Sequence, residues 1–211
     1  VAGGAALVVI DVDDWVRALA VFKDPATGEL RLACGCNDGK VLIFDPVAGG
    51  NVLLVLEVGS SVYSLAVFAD KTGAQRLACG CEDRKVRVFD PLVGGEAMVV
   101  LQMDHEDDDE VTALAAFTDP ATGAPRLACA SGKKVPVFDP VAGGDALLLL
   151  DIACDALAVF KEPATSAPRL ACGCEDGKVR VFDAVSGGDA LLALDVGSEV
   201  YALVEFKDLA T

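Results

Sequence analysis

One string occurs four times in this chain and constrains everything else: RLACGCNDGKVLIFDP, RLACGCEDRKVRVFDP, RLACASGKKVPVFDP and RLACGCEDGKVRVFDA, opening at Arg31, Arg76, Arg126 and Arg169. The openings are 45, 50 and 43 residues apart, a mean of 46. A unit that returns at this period is one supersecondary element used again and again, and the architecture follows from how copies of it stack.

The second unit shows its internal plan. Residues 62–68 (VYSLAVF) are β-branched, aromatic and apolar and read as an inner strand, a. A loop with Asp70 and Gly73 leads to strand b at 76–81, the turn Glu82-Asp83-Arg84 to strand c at 85–89, and an Asp-Pro…Gly-Gly turn to strand d at 97–103. Each run is short, and each connection carries Gly, Pro, Asp or Ser, the signature of strands joined by tight turns. Alternation within the runs does not separate a wet face from a dry one: Leu77, Cys79 and Cys81 share one side of strand b, with Ala78 and Gly80 on the other. Strands that are apolar on both faces need cover on both faces. Four-stranded antiparallel sheets stacked around an axis provide it, and small residues in the inner strands suit close approach of neighbouring sheets. The reading is all-β, a β-propeller of about four and a half repeats of about 46 residues. It is one propeller domain or propeller fragment over residues 1–211, with repeat cores at 31–46, 76–91, 126–140 and 169–184.

The repeat phase predicts eighteen strands in the order d, four times abcd, then a. The opening d falls at 5–12, the last d at 190–196 and the lone a at 200–206. Strands b and c of the last unit are missing, so the phase predicts either a piece of a longer propeller or completion by another chain through open blade edges.

Composition narrows the partners. Against 17 Lys and Arg stand 33 Asp and Glu, a net charge of −16. Such a surface repels phosphate backbones and anionic lipid, which argues against nucleic acid and membrane and for a protein partner carrying basic residues. No apolar run reaches the roughly 18 residues of a membrane helix. Six of the eight cysteines form Cys-Gly-Cys pairs, Cys34/Cys36, Cys79/Cys81 and Cys172/Cys174. Two residues apart on a strand they cannot comfortably bridge each other, so they read as small buried thiols of a reducing, cytoplasmic protein.

The units resemble WD-repeat propeller blades over nearly the whole chain, with NHL-type propellers the nearest competitor. Lys85-Val-Arg-Val-Phe89-Asp90 is similar to the family's third-strand signature, with Phe for its usual Trp, and Asp38, Asp83 and Asp176 take the place of its structural turn Asp. Ser60 and Ser198 follow a Gly where the family has His, and His105, the only histidine, counts onto that same position. The resemblance implies a non-catalytic interaction scaffold.

Departures from the repeat mark candidate binding loops, because the scaffold subtracts out. The third unit expands its d–a connection to Asp104-His105-Glu106-Asp107-Asp108-Asp109-Glu110, and carries Pro136 within strand c. The first places Asp13, Asp14 and Trp15 at the same connection. In a propeller the d–a and b–c connections emerge on one face, and loops on a rigid scaffold carry binding. Asp13, Asp14, Trp15, His105, Asp107, Asp108, Asp109 and Glu110 are the candidate partner-binding residues, with Trp15 an anchor; the alternative is a solvated acidic face with Trp15 folded over a blade edge. The acidic run lacks the alternating ligands and turn Gly of a calcium loop, and each Cys-Gly-Cys pair belongs to a different unit, so no metal site is expected. A lone histidine in an acidic loop argues against nucleophilic catalysis, and no phosphate-binding glycine motif occurs. No cofactor is expected. The expected function is a scaffold binding a protein through the acidic d–a/b–c face; the alternative is an assembly component whose open blade edges another chain completes.

Overall fold

The computed structural model describes residues 4–103 and 109–205; every strand among them is antiparallel and there is no helix. The first sheet is β1 (Val16–Lys23), β2 (Leu30–Cys36), β3 (Lys40–Phe44) and β4 (Leu54–Glu57); the second is β5 (Val62–Ala69), β6 (Gln75–Cys81), β7 (Lys85–Phe89) and β8 (Val99–Gln102). The third is β9 (Ala113–Thr118), β10 (Pro125–Ala130), β11 (Val135–Phe138) and β12 (Leu148–Leu150). The fourth is β13 (Ala156–Lys161), β14 (Pro168–Gly173), β15 (Lys178–Asp183) and β16 (Gly187–Asp195). Each sheet is a simple meander, its strands hydrogen-bonded in chain order. These are the blades of a β-propeller.

The inner strands pack in series, β1 on β5, β5 on β9 and β9 on β13. Each junction is a separate core. Ala33, Val41, Ile43 and Leu56 of the first blade meet Leu77, Cys79, Cys81 and Phe89 of the second. Ala78, Val86, Val88 and Leu101 of the second meet Leu127, Cys129 and Phe138 of the third, and the third meets the fourth in the same way. The second and third sheets are thus packed on both faces, as the unalternating strands require.

The glycine in RLACGC sets the spacing of those layers. A Cβ on Gly35 would stand 2.8 Å from Cγ1 of Val62, and one on Gly80 would stand 2.7 Å from Cγ1 of Val111. The following inner strand thus lies directly on the glycine backbone. In the third blade Ala130 holds the glycine position, and Cys154 rather than Val reaches over from the next blade, both in one packed cluster. A larger residue on one side is matched by a smaller one on the other.

The arginine that opens each repeat has a structural partner set that the sequence did not disclose. Arg76 pairs with Asp70 of the a–b loop at 2.7 Å and with Asp90 of the c–d turn at 2.9 Å. Arg126 does so with Asp119 and Asp139, and Arg169 with Glu162 and Asp183. The same turn aspartates accept backbone N–H bonds, as Asp90 does from Leu92 and Val93 at 3.0 Å each. One cation therefore ties both loops of the lower rim to strand b.

Two sequence expectations are corrected. Residues 5–12 and 200–205 do not form strands, so sixteen strands stand where eighteen were expected; residue 206 lies outside the described residues. The physical reason is the missing b and c neighbours, without which a lone segment has no ladder to satisfy its backbone. Both segments nevertheless lie where the repeat puts them. Val8 packs against the position of Gly49 as Leu54 does against Gly94, and Val200 against Gly173 as Val62 does against Gly35. Pro136 behaves as expected: β11 pairs with β10 through two residues, Ala128↔Val137 and Leu127↔Phe138, where β7 pairs with β6 through four.

Candidate partner-binding face

The b–c turns and the d–a connections meet on one face through hydrogen bonds between them. In the first blade Asp38 N donates to Asp14 Oδ2 at 2.7 Å and Asn37 N donates to the Trp15 carbonyl at 3.0 Å. In the second, Asp83 N donates to Ser60 Oγ at 3.2 Å and Ser61 Oγ donates to Glu82 at 2.8 Å. Ser60 thus reaches the turn through a short side chain. On the other side of each turn, the carbonyls of Gly39, Arg84 and Gly177 accept from the amides of Val58, Met103 and Val196. That carbonyl points outward because the turn residue is left-handed, with φ of 84°, 61° and 76° respectively. Arg84 holds this conformation at a steric cost that glycine avoids.

The turn aspartates are neutralised rather than presented. Asp83 grips Arg87 with both oxygens, at 2.9 and 2.6 Å, and Asp176 grips Arg180 at 3.0 and 2.6 Å. Burial works to raise the Asp83 carboxyl, but the Arg87 guanidinium outweighs it and holds the group below the usual range. Asp38 has only Lys40, at 2.9 Å, because Leu42 occupies the arginine position in that blade. These aspartates brace the turn and contribute little free negative charge.

The field is stronger between the third and fourth blades. The Asp155 carboxyl is pushed up by burial first and then by Glu175, Glu110, Asp109 and Glu199 around it. Asp109 is exposed, and its carbonyl accepts from Ser131 Oγ at 2.9 Å, which docks the end of the acidic loop on the b–c turn. His105, Asp107 and Asp108 lie outside the described residues. Glu175 and Glu199 are acidic residues of the b–c and d–a connections, on the face the repeat assigns to binding, and the structure adds Asp155, which was not among the candidate binding residues.

Trp15 is 73% exposed. The Arg17 guanidinium lies 5.8 Å from its ring centroid and 4.7 Å from that of Tyr63, and Arg17 Nε donates to Asn37 Oδ1 at 2.7 Å. The indole is held by a cation at the rim and not folded into the blade. Asp13 and Asp14 stand beside it, so this group and the Asp109–Glu110 group occupy separate blades of the same face.

Asp14, Cys36 and Asp38 place ligand-type atoms within 4.8 Å of one another. Their chemistry is that of a capped turn. Backbone N–H groups of Trp15 and Asp38 lower the Asp14 carboxyl, while burial and then the charge of Asp38 push the Cys36 thiol up to about 11. Cys36 stays protonated at neutral pH and donates to the Cys34 carbonyl at 3.4 Å. All eight cysteines are buried free thiols.

Residues 50–90 match the family model described as WD domain, G-beta repeat. The chain is a β-propeller, and its segment 50–90 carries a WD repeat. The matched frame runs from the last turn and outer strand of the first blade through β5, β6 and β7, so the sequence repeat straddles two blades. A search of curated proteins found no match. Among solved structures, BBS1N in complex with ARL6DN, soaked with mercury, is similar at a TM-score of 0.71 and 18% identity, covering 93% of this chain and 60% of that one. The lead-soaked form of that complex aligns at 0.66 and 17%, over 92% and 59%. The computationally designed Ika8 protein aligns at 0.61 and 28%, over 92% of this chain and 53% of its own. The chain therefore spans about three fifths or less of the length of those structures.

Proposed function

We propose that this propeller is a non-catalytic protein-interaction scaffold that takes a partner carrying basic residues on the d–a/b–c face. The observation that carries the reading is the carboxylate group between the third and fourth blades, where burial first and then Glu175, Glu110, Asp109 and Glu199 raise Asp155. An incoming cation beside Asp155 favours its ionised carboxylate. Trp15, exposed at the other end of the face and flanked by Arg17, supplies an aromatic anchor of the kind that dominates interfaces. BBS1N, in complex with ARL6DN, shows a protein of this fold in a protein complex.

The test is calorimetric titration of the 211-residue chain with an arginine-rich peptide, with an acidic peptide as control. Binding of the basic peptide should weaken steeply with salt. Trp15→Ala should lower affinity about tenfold while leaving the melting transition in place, since an exposed ring contributes little to the core. Absence of basic-peptide binding would refute the reading, and a large drop in Tm for Trp15→Ala would reassign that residue to structure.

A further inference from the structure

The arc of blades has two end faces, each apolar like the faces of the three junctions and each without a neighbouring blade among the described residues. On the leading side, Leu19 and Val21 of β1 are 63% and 58% exposed, whereas Leu157, the equivalent of Leu19 in β13, is buried and Val67 and Val159, the equivalents of Val21 in β5 and β13, are half-buried. On the trailing side, Leu194 of β16 is 48% exposed, whereas its equivalents Leu56, Leu101 and Leu150 are 1%, 1% and 4% exposed. Among the described residues no core joins the fourth blade to the first. We propose that the trailing face of the fourth blade receives the leading face of the first blade of a second copy, so that chains associate head to tail.

The end segments strengthen this fit, because they cover opposite halves of the two faces. The 4–12 segment touches the leading side through Val8 at Gly49 of the c–d turn, and leaves the inner row with Leu19 and Val21 bare. Residues 200–205 start on the inner row of the trailing face, through Val200 on Gly173, and leave the outer row with Leu194 bare. The middle rows are already shielded, Phe44 and Cys34 on one face and Val181 and Ala171 on the other. When the faces meet, the 200–205 segment of one copy comes over Leu19 and Val21 of the next, and the 4–12 segment of the next comes over Leu192 and Leu194. Each copy supplies the row that the other lacks. Such a contact joins unlike surfaces, so it closes into a ring or runs on as a ladder.

Charge opposes this contact. Copies carrying −16 each repel, and salt screens that repulsion, so association should strengthen with ionic strength. Basic-peptide binding at the loop face has the opposite salt dependence, which keeps the two proposals separable.

The test is sedimentation velocity of the 211-residue chain over a concentration series at low and high salt. The expected result is a mass of two or more copies that grows with salt. Leu19→Asp and Leu194→Asp should each abolish association with an unchanged Tm, since both side chains are exposed in the single copy. An equimolar mixture of the two variants should recover pairs, because each retains the face that the other has lost. A wild-type chain that stays monomeric, a variant of only one face that abolishes association, or a mixture that stays monomeric would each overturn the proposal.

Discussion

At the scale of single residues, the junctions between blades are matched in size position by position. Gly80 has Val111 over it, with the Val111 carbonyl 3.0 Å from where a Cβ would stand and Ser64 Oγ donating to that carbonyl at 2.8 Å. Backbone cannot move aside as a flexible side chain can, so Gly80→Ala should cost about 1–3 kcal/mol in chemical denaturation. The third blade makes the converse experiment possible. Ala130→Gly should loosen the junction and Cys154→Val should overpack it, but together they recreate the Gly–Val pair of the other junctions. The double variant should be more stable than the sum of the single changes by on the order of 1 kcal/mol; additive losses would refute the pairing. Asp155 carries the second residue-scale prediction. Its carboxyl is raised by burial and surrounding carboxylates, so ionising it costs stability at neutral pH, and the cost shrinks as pH falls from the raised value toward the unfolded one. Asp155→Asn should therefore raise Tm at pH 7, with the gain vanishing toward about pH 3–4, where the unfolded side chain is protonated as well. A variant that is no more stable at neutral pH would count against the repulsion.

At the scale of elements, the strands were largely legible and their tethers were not. The inner strand expected at 62–68 is β5, Val62–Ala69, and the outer strand expected at 97–103 shortens to β8, Val99–Gln102, where its ends meet turns. Arg76 read only as the polar exception in an apolar strand. Its acidic partners lie six residues before it and fourteen after it, brought together by two different turns, and nothing in local periodicity points across them. Pro136 is the element that departs from the rest. It lacks the N–H that the equivalent residue of other blades can give to the ladder. Pro136→Thr should slow hydrogen exchange across 135–138 by extending the β10–β11 pairing toward the four-residue register of β6–β7. The change in Tm should be small, because the gained hydrogen bond is offset by a more flexible unfolded chain. Unchanged exchange rates would mean that the neighbouring turn, and not proline, limits the ladder.

At the scale of the whole molecule, apolar stacking and acidic charge pull apart the consequences of salt. Raising ionic strength should weaken capture of a basic peptide on the loop face while favouring contact between blade faces of separate copies. The sequence by itself determined the blade, since a 46-residue repeat with both strand faces apolar has few ways to bury itself other than by stacking copies. It also determined the state of the cysteines, because small residues in inner strands pack whether or not they carry sulfur. Tertiary structure alone decided three things. It showed that the turn aspartates Asp83 and Asp176 are spent on Arg87 and Arg180, a pairing across a turn that brings side chains four residues apart into contact. It brought Asp109 and Glu110 together with Asp155, Glu175 and Glu199, which are distant in sequence and meet only when two blades stack. And it left the end segments without strand structure, because the repeat that names a strand does not supply the neighbour whose backbone must complete it.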